Sequence, residues 1–168
     1  MMNLTPRELA DYQHAAREQP ASIPLPGINE LRIKPIDKDD VISFLEWEPS
    51  AYADFEWRTI ATYKFRDDYA LDFAIWANGE LCGLCFACTT PSFDAVHIDY
   101  LQGASADDHP LKGHLARVAI EVVDAYASLL GAEWVVIQNP LDGALPVYRG
   151  LGFDDIDGEG LARPVAKA

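Results

Sequence analysis

Residues 111–131 read LKGHLARVAIEVVDAYASLLG, and the reading of the whole chain turns on this run. Leu115, Val118, Val122, Ala125 and Leu129 recur three or four positions apart, which lays one apolar stripe along a helix. Gly131 supplies the stop. Downstream, EWVVIQ (133–138) is apolar and of strand length, DGALPVYRGLG (142–152) reads as a short helix, and FDDID (153–157) opens a final strand. Upstream, AVHIDYLQG (95–103) reads as a strand. Regular alternation places Val96, Ile98 and Tyr100 on one face and His97, Asp99 and Leu101 on the other. A polar loop, ASADDHP (104–110), joins that strand to the long helix.

Further toward the N-terminus, YALDFAIWANGELCGLCFACTT (69–90) is two strands around the Asn78-Gly79 turn, a strong hairpin signal. It carries the cysteines, Cys82, Cys85 and Cys88. On a regular strand Cys85 faces away from the other two, and Cys82 and Cys88 stand roughly 20 Å apart. That spacing serves no single metal ion, so no metal site is expected and the thiols read as small buried hydrophobes. ELRIKPI (30–36) reads as the first strand, and Asp37 starts a helix that turns Val41, Phe44 and Leu45 inward. A second helix is expected over 50–66, capped by Ser50, with Tyr52, Phe55, Ile60 and Tyr63 near helical spacing. Thr5, Pro6 and Glu8 mark the start of a helix over 6–18, with Leu9, Tyr12 and Ala16 on one stripe. Its three-proline follower, QPASIPLPG (19–27), is expected to be an extended linker. The organisation is therefore an appendage, 1–28, ahead of one α/β domain, 29–168, with a single sheet flanked by helices.

At 168 residues the chain supports one domain with a proper core. Thirteen basic residues stand against 27 acidic ones, a formal net charge of −14. Such a field repels phosphate backbones and membranes rich in anionic lipid, and it attracts cations. Nucleic acid is not expected as a partner. No apolar run is long enough for a membrane span, and the N-terminus lacks a signal-peptide core, so the expectation is a cytoplasmic protein.

The order of long helix, strand, short helix and Y-x-x-x-G-F resembles the GCN5-related N-acetyltransferase superfamily over about residues 31–157. The most specific piece is ALPVYRGLGF (144–153), which matches that family's A-x-x-x-Y-x-x-x-G-F ending. Asn139 precedes it at a strand end, two residues further upstream than usual. The resemblance implies a mixed, mostly antiparallel sheet, splayed between its fourth and fifth strands, here 95–103 and 133–138. Acetyl-CoA would lie in the split as co-substrate, and the acceptor would be an amine, with a cationic one favoured by the acidic field.

Roles follow by resemblance. Tyr148 would be the acid that returns a proton to the departing thiolate, for which a phenol is suited. Asp99 on the fourth strand would be the base, with His97, Tyr100, Glu46 and Glu48 in reserve. The cofactor set would be Leu101, Lys112, Gly113, His114, Leu115 and Asn139, the helix N-terminus at HPLKGHLA offering N–H groups and partial positive charge to a pyrophosphate. The family's pyrophosphate motif, Q/R-x-x-G-x-G/A, is kept here only at Gly113. Pro110 and Leu115 stand at its other two marker positions. Tyr52, Phe55, Trp57 and Tyr63 would wall the acceptor site, beside a small basic patch of Arg58, Lys64 and Arg66.

A second reading draws on the worn motif: an acyl-CoA sensor or acidic protein-interaction module on the same fold. A toxin acetylating charged tRNA would need a basic surface and ranks last. The N-terminal helix either covers its own domain or exchanges with a second subunit in a homodimer.

Overall fold

A computed structural model describes residues 3–47, 55–106, 108–140, 142–156 and 160–166. Ser50, Tyr52 and Glu48, named above, lie outside the described residues. Helix α1 (Pro6–Glu18) begins with a capping box, in which Thr5 accepts from the Glu8 N–H and Glu8 accepts from the Thr5 N–H. Strand β1 (Leu31–Lys34) leads to α2 (Lys38–Phe44), whose Asp37 and Asp40 form a second capping box. A short α3 (Trp57–Ile60) precedes the hairpin of β2 (Leu71–Ala77) and β3 (Glu80–Thr89). Then come β4 (Ala95–Gly103), α4 (Leu115–Leu130), β5 (Trp134–Ile137), α5 (Leu145–Gly150), β6 (Asp154–Asp155) and β7 (Leu161–Pro164).

The strands form one sheet in the order β1-β2-β3-β4-β5-β7-β6. Every pairing is antiparallel except β4 with β5, where α4 makes the crossover that a parallel pair requires. The mixed, mostly antiparallel α/β sheet flanked by helices is therefore the observed architecture. One face packs on α1 and α4 through Leu9, Ala16, Val118, Val122, Tyr126 and the inward side chains of the strands. The other packs on α2 and α3 through Val41, Trp57 and Ile60. Among the described residues no helix is long and apolar enough to cross a membrane.

The chain departs from regular alternation at two bulges. In the β2–β3 hairpin, Ile75 pairs with Gly83 and Trp76 with Leu81, so Cys82 is the extra residue. The phase shift puts Cys82 and Cys85 on the α1–α4 face, and Cys88 on the other. Cys85 therefore does not face away from Cys82. Between β3 and β4, Phe86 pairs with Tyr100 and Ala87 with Ile98, which leaves Asp99 without a partner in the ladder. Consequently Leu101 joins Val96 and Ile98 on the α1–α4 face, while Tyr100 crosses to the face of α2 and α3. The expected grouping of Tyr100 with Val96 and Ile98 fails for that reason.

Three further expectations change. The helix expected over 50–66 is, in its described part, α3 and one 3-10 turn at Tyr63–Arg66. It ends early because the Thr62 hydroxyl donates to the Thr59 carbonyl, 2.7 Å, and Lys64 is drawn to the Ile36 carbonyl and to Asp72. The proline-rich linker opens with a 3-10 turn, Gln19–Ser22, because Pro20 sits at a first-turn position where it has no N–H to lose. Strand β7 was not expected. It inserts between β5 and β6, and LARP is too short and irregular to announce itself.

Candidate functional site

Strands β4 and β5 stay paired only from Ala95 and Trp134 to Ile98 and Ile137, with one more bond from the Gln138 N–H to the Ile98 carbonyl. Beyond that point β4 continues to Gly103, whereas the other chain turns away through Asn139, whose φ of 44° lies in the left-handed region. The sheet is thus split, and the edge of β4 from Asp99 to Gly103 faces the gap. Asp99 is the first residue past the last β4–β5 bond, at the neck.

Tyr148 belongs to α5, which follows β5, and its ring joins the same buried cluster as Cys85 of β3. The ring therefore lies on the α1–α4 face of the sheet, edge-on to Phe153. It is 8% exposed. Burial, with a smaller contribution from Cys85, pushes its phenol up to about 12, so it is protonated across the physiological range. Its hydroxyl has no hydrogen-bond partner among the described residues, and no sealed polar side-chain atom is left without a partner. The hydroxyl is therefore open to a ligand or to water.

At the far end of the gap, α4 begins at a turn. The Lys112 N–H donates to the His109 carbonyl, 3.0 Å, and the His114 N–H to the Leu111 carbonyl, 2.8 Å. The N–H groups of Gly113, Leu115, Ala116 and Arg117 have no acceptor among the described residues. Gly113 has φ of +83° and open space where a Cβ would stand. Lys112 and Gly113 are exposed, and His114, the N-cap, is half-buried. Leu115 points the other way. A Cβ at Gly83 or Gly103 would lie 2.6 or 2.5 Å from its methyl carbons, so it wedges into the sheet over two glycines. Its bulk stays clear of any anion at the helix terminus. The residues present thus fit an extended anionic cofactor: an open strand edge, a protonated phenol at one end and unpaired N–H groups at the other.

On the opposite face, Nδ1 of His97 lies 2.7 Å from Asp99, and both side chains are partly exposed. The thiol of Cys88 stands across from His97 on β3; burial foremost, then the nearby carboxylates of Asp99 and Asp67, keep it protonated. Beyond Asp99, Tyr100 meets Phe55 and Trp57 edge-on, at 5.2 and 6.4 Å between ring centres. Burial raises its phenol, with Tyr63, Asp99 and Cys88 adding to the shift. Phe55 and Trp57, with Phe44 and Trp47, line a cavity of about 220 Å³ that also includes Glu56 and Arg58. Tyr63 stands apart from this cavity, packed on Phe86. The expected basic patch is broken up: Lys64 turns inward to Asp72, Arg66 stacks over Tyr63, and Arg58 is exposed. Glu46 is exposed, and Leu101 is half-buried opposite Cys85.

Two residues escaped the sequence reading. Gln102 is buried on β4, and its carbonyl oxygen accepts from the Phe55 N–H at 3.1 Å and the Trp57 indole at 2.9 Å, which ties the aromatic wall to the split strand. His109 is buried in the turn before α4, where its Nδ1 accepts from the Leu111 N–H at 3.2 Å. Burial lowers its pKa, Lys112 lowers it further and Asp108 opposes them. No periodic signal marks either residue. Among the described residues no cluster of three or more His, Cys, Asp or Glu side chains is placed to hold a metal ion.

No family model matches the sequence, and no curated protein matches it either. Solved structures do match the fold. The ribosomal-protein-S18-alanine N-acetyltransferase from Escherichia coli aligns over 83% of this chain and 96% of its own, at 15% identity and a TM-score of 0.60. Ard1 from Thermoplasma volcanium aligns over 82% and 99%, at 12% identity and a TM-score of 0.61. Mycobacterium smegmatis RimJ, in complex with CoA-disulfide, aligns over 80% and 81%, at 16% identity and a TM-score of 0.54.

Proposed function

The chain has the GCN5-related N-acetyltransferase fold, and on that premise we propose that it transfers an acetyl group from acetyl-CoA directly to a primary amine. The observation that carries this reading is Tyr148, a buried, protonated phenol with an unengaged hydroxyl on the α4 face of the split sheet. The unpaired N–H groups at Gly113 and Leu115–Arg117 hold the pyrophosphate, with Lys112 and His114 beside it. The open edge of β4, from Asp99 through Leu101 to Gly103, aligns the pantetheine arm, and Asn139 turns the other wall of the split out of its way. Tyr148 then donates its proton to the sulfur as the carbon–sulfur bond breaks. The negative charge of Asp99 at the neck draws the amine in its cationic form, and the aromatic cavity of Phe44, Trp47, Phe55 and Trp57 receives the body of that molecule.

The rival reading, an acyl-CoA sensor without turnover, draws on Pro110, which offers no N–H to a phosphate. Titration calorimetry with acetyl-CoA separates the cases. Wild type and Tyr148→Phe bind equally, and turnover with an accepted amine falls in the variant on the order of 10²-fold or more. Equal binding without turnover of any amine favours the sensor. Absence of binding at high ligand concentration sinks both.

A further inference from the structure

Residues two apart on a strand share a face, so His97 and Asp99 project together from β4. The bulge frees Asp99 from the ladder and brings its carboxylate to 2.7 Å from Nδ1 of His97. A carboxylate only accepts, so Nδ1 carries the proton and the lone pair of a neutral ring is on Nε2. Asp99 accepts from the imidazole, and the half-buried thiol of Cys88 stands across the ladder from His97. Nε2 serves no donor among the described residues, and the ring is 19% exposed. We infer that Nε2 of His97 takes the proton of the acceptor amine, and that Asp99 is the positioning residue that fixes the ring and its tautomer.

The inference rests on the acetyl-transfer reading above and sharpens its chemistry. His97 pairs with Val136 one residue short of the point where β4 and β5 part, so its ring lies at the neck on the α2–α3 side. Tyr148 lies on the α4 side of the sheet. Base and acid therefore flank the reacting carbon from opposite faces of the sheet. The ammonium first releases one proton to water through Nε2, which frees the nitrogen lone pair and returns the ring to its neutral form. As the nitrogen then bonds to the acetyl carbon, its second proton passes to Nε2. As the carbon–sulfur bond breaks, its electron pair goes to sulfur, which receives the proton of Tyr148. Imidazolium and phenolate then return to their resting forms by exchange with water. The groups that face the ring are Asp99 and Cys88, with the charge of Asp67 acting on Cys88, and with Tyr100 next to Asp99 and near Tyr63. From β5 only Val136 and Trp134 share this face.

The test uses the full chain with acetyl-CoA and three probe amines: spermidine, a peptide beginning with alanine, and a peptide carrying an internal lysine. Release of free CoA is followed across pH. His97→Gln is expected to lose kcat on the order of 10²-fold or more, with its KM for acetyl-CoA unchanged and the rise of kcat/KM with pH abolished. Free imidazole is expected to restore part of the rate to His97→Ala, which a merely structural role would not allow. Asp99→Asn keeps the ring, and is expected to lose less activity while changing the tautomer. Nitrogen NMR of the resting protein is expected to report His97 with its proton on Nδ1. A proton on Nε2 overturns the inference, as does a His97→Gln enzyme with wild-type kcat and pH profile, and in both cases acetyl transfer stands. If wild type turns over none of the probes, the transfer reading falls and takes this inference with it.

Discussion

The two faces of the sheet are held by different physics. Against α1 and α4 the contacts are mainly apolar: Val96, Ile98, Val118, Val122 and Leu161 have almost no exposed surface, and Phe73, Tyr126 and Phe153 are buried among them. Against α2 and α3 the core is aromatic and is threaded with buried polar anchors, Asp40, Asp72 and Gln102. The first face follows from apolar periodicity alone, and burial there stabilises without regard to direction. The second depends on directional bonds, each of which fixes one segment of irregular chain. Asp72 alone accepts from the Ile36 N–H and Lys64 and pairs with Arg17, gathering three segments that are distant in sequence. An apolar face tolerates drift. A directional one positions side chains, and it is on that face that His97, Asp99 and the aromatic cavity lie.

The contrast can be broken most forcefully at Asp72. Asp72→Ala leaves Lys64 and Arg17 largely buried without their carboxylate, at an expected cost of about 3–5 kcal/mol, read by denaturant unfolding. A loss under about 1 kcal/mol would mean that the α2–α3 face is held by its aromatics after all. A smaller effect is expected where the apolar face meets the split. Gly103→Ala drives a Cβ to 2.5 Å from a Leu115 methyl that Gly83 blocks from retreating, which costs about 1–3 kcal/mol. Leu115→Ala in the same chain should recover part of that loss, and simple additivity in the double-mutant cycle would refute the wedge. The smallest expected effect concerns pH. The folded state lowers the pKa of His109, so between the unfolded value of about 6.5 and the lower folded one the unfolded chain binds more protons. Stability contributed at higher pH is therefore lost as pH falls through that window, and His109→Gln should flatten this part of the thermal unfolding profile.

The same contrast explains what was legible beforehand. Helix α4, the Asn78-Gly79 hairpin and the Tyr148 segment announce themselves through periodicity, turn chemistry and a spaced motif. The bulge at Asp99 has no such signature, because one unpaired residue changes the phase of a strand without changing its composition. Regular alternation therefore puts Tyr100 and Leu101 on the wrong faces. Gln102 and His109 were invisible for a related reason: their roles are set by backbone N–H groups and an indole brought to them by tertiary structure. Strand β7 is too short to show a period.

The strand that carries the bulged Cys82 also carries the other two thiols, and all three are held in their protonated form, by burial first in every case. Thiolate, not thiol, is the species that reacts with alkylating agents and oxidants. The intact protein is accordingly slow to scar under oxidative stress. Labelling of the two buried thiols, Cys82 and Cys85, by a thiol reagent then becomes a clock for the transient opening of the central hairpin, with each molecule modified there recording one excursion from the native state.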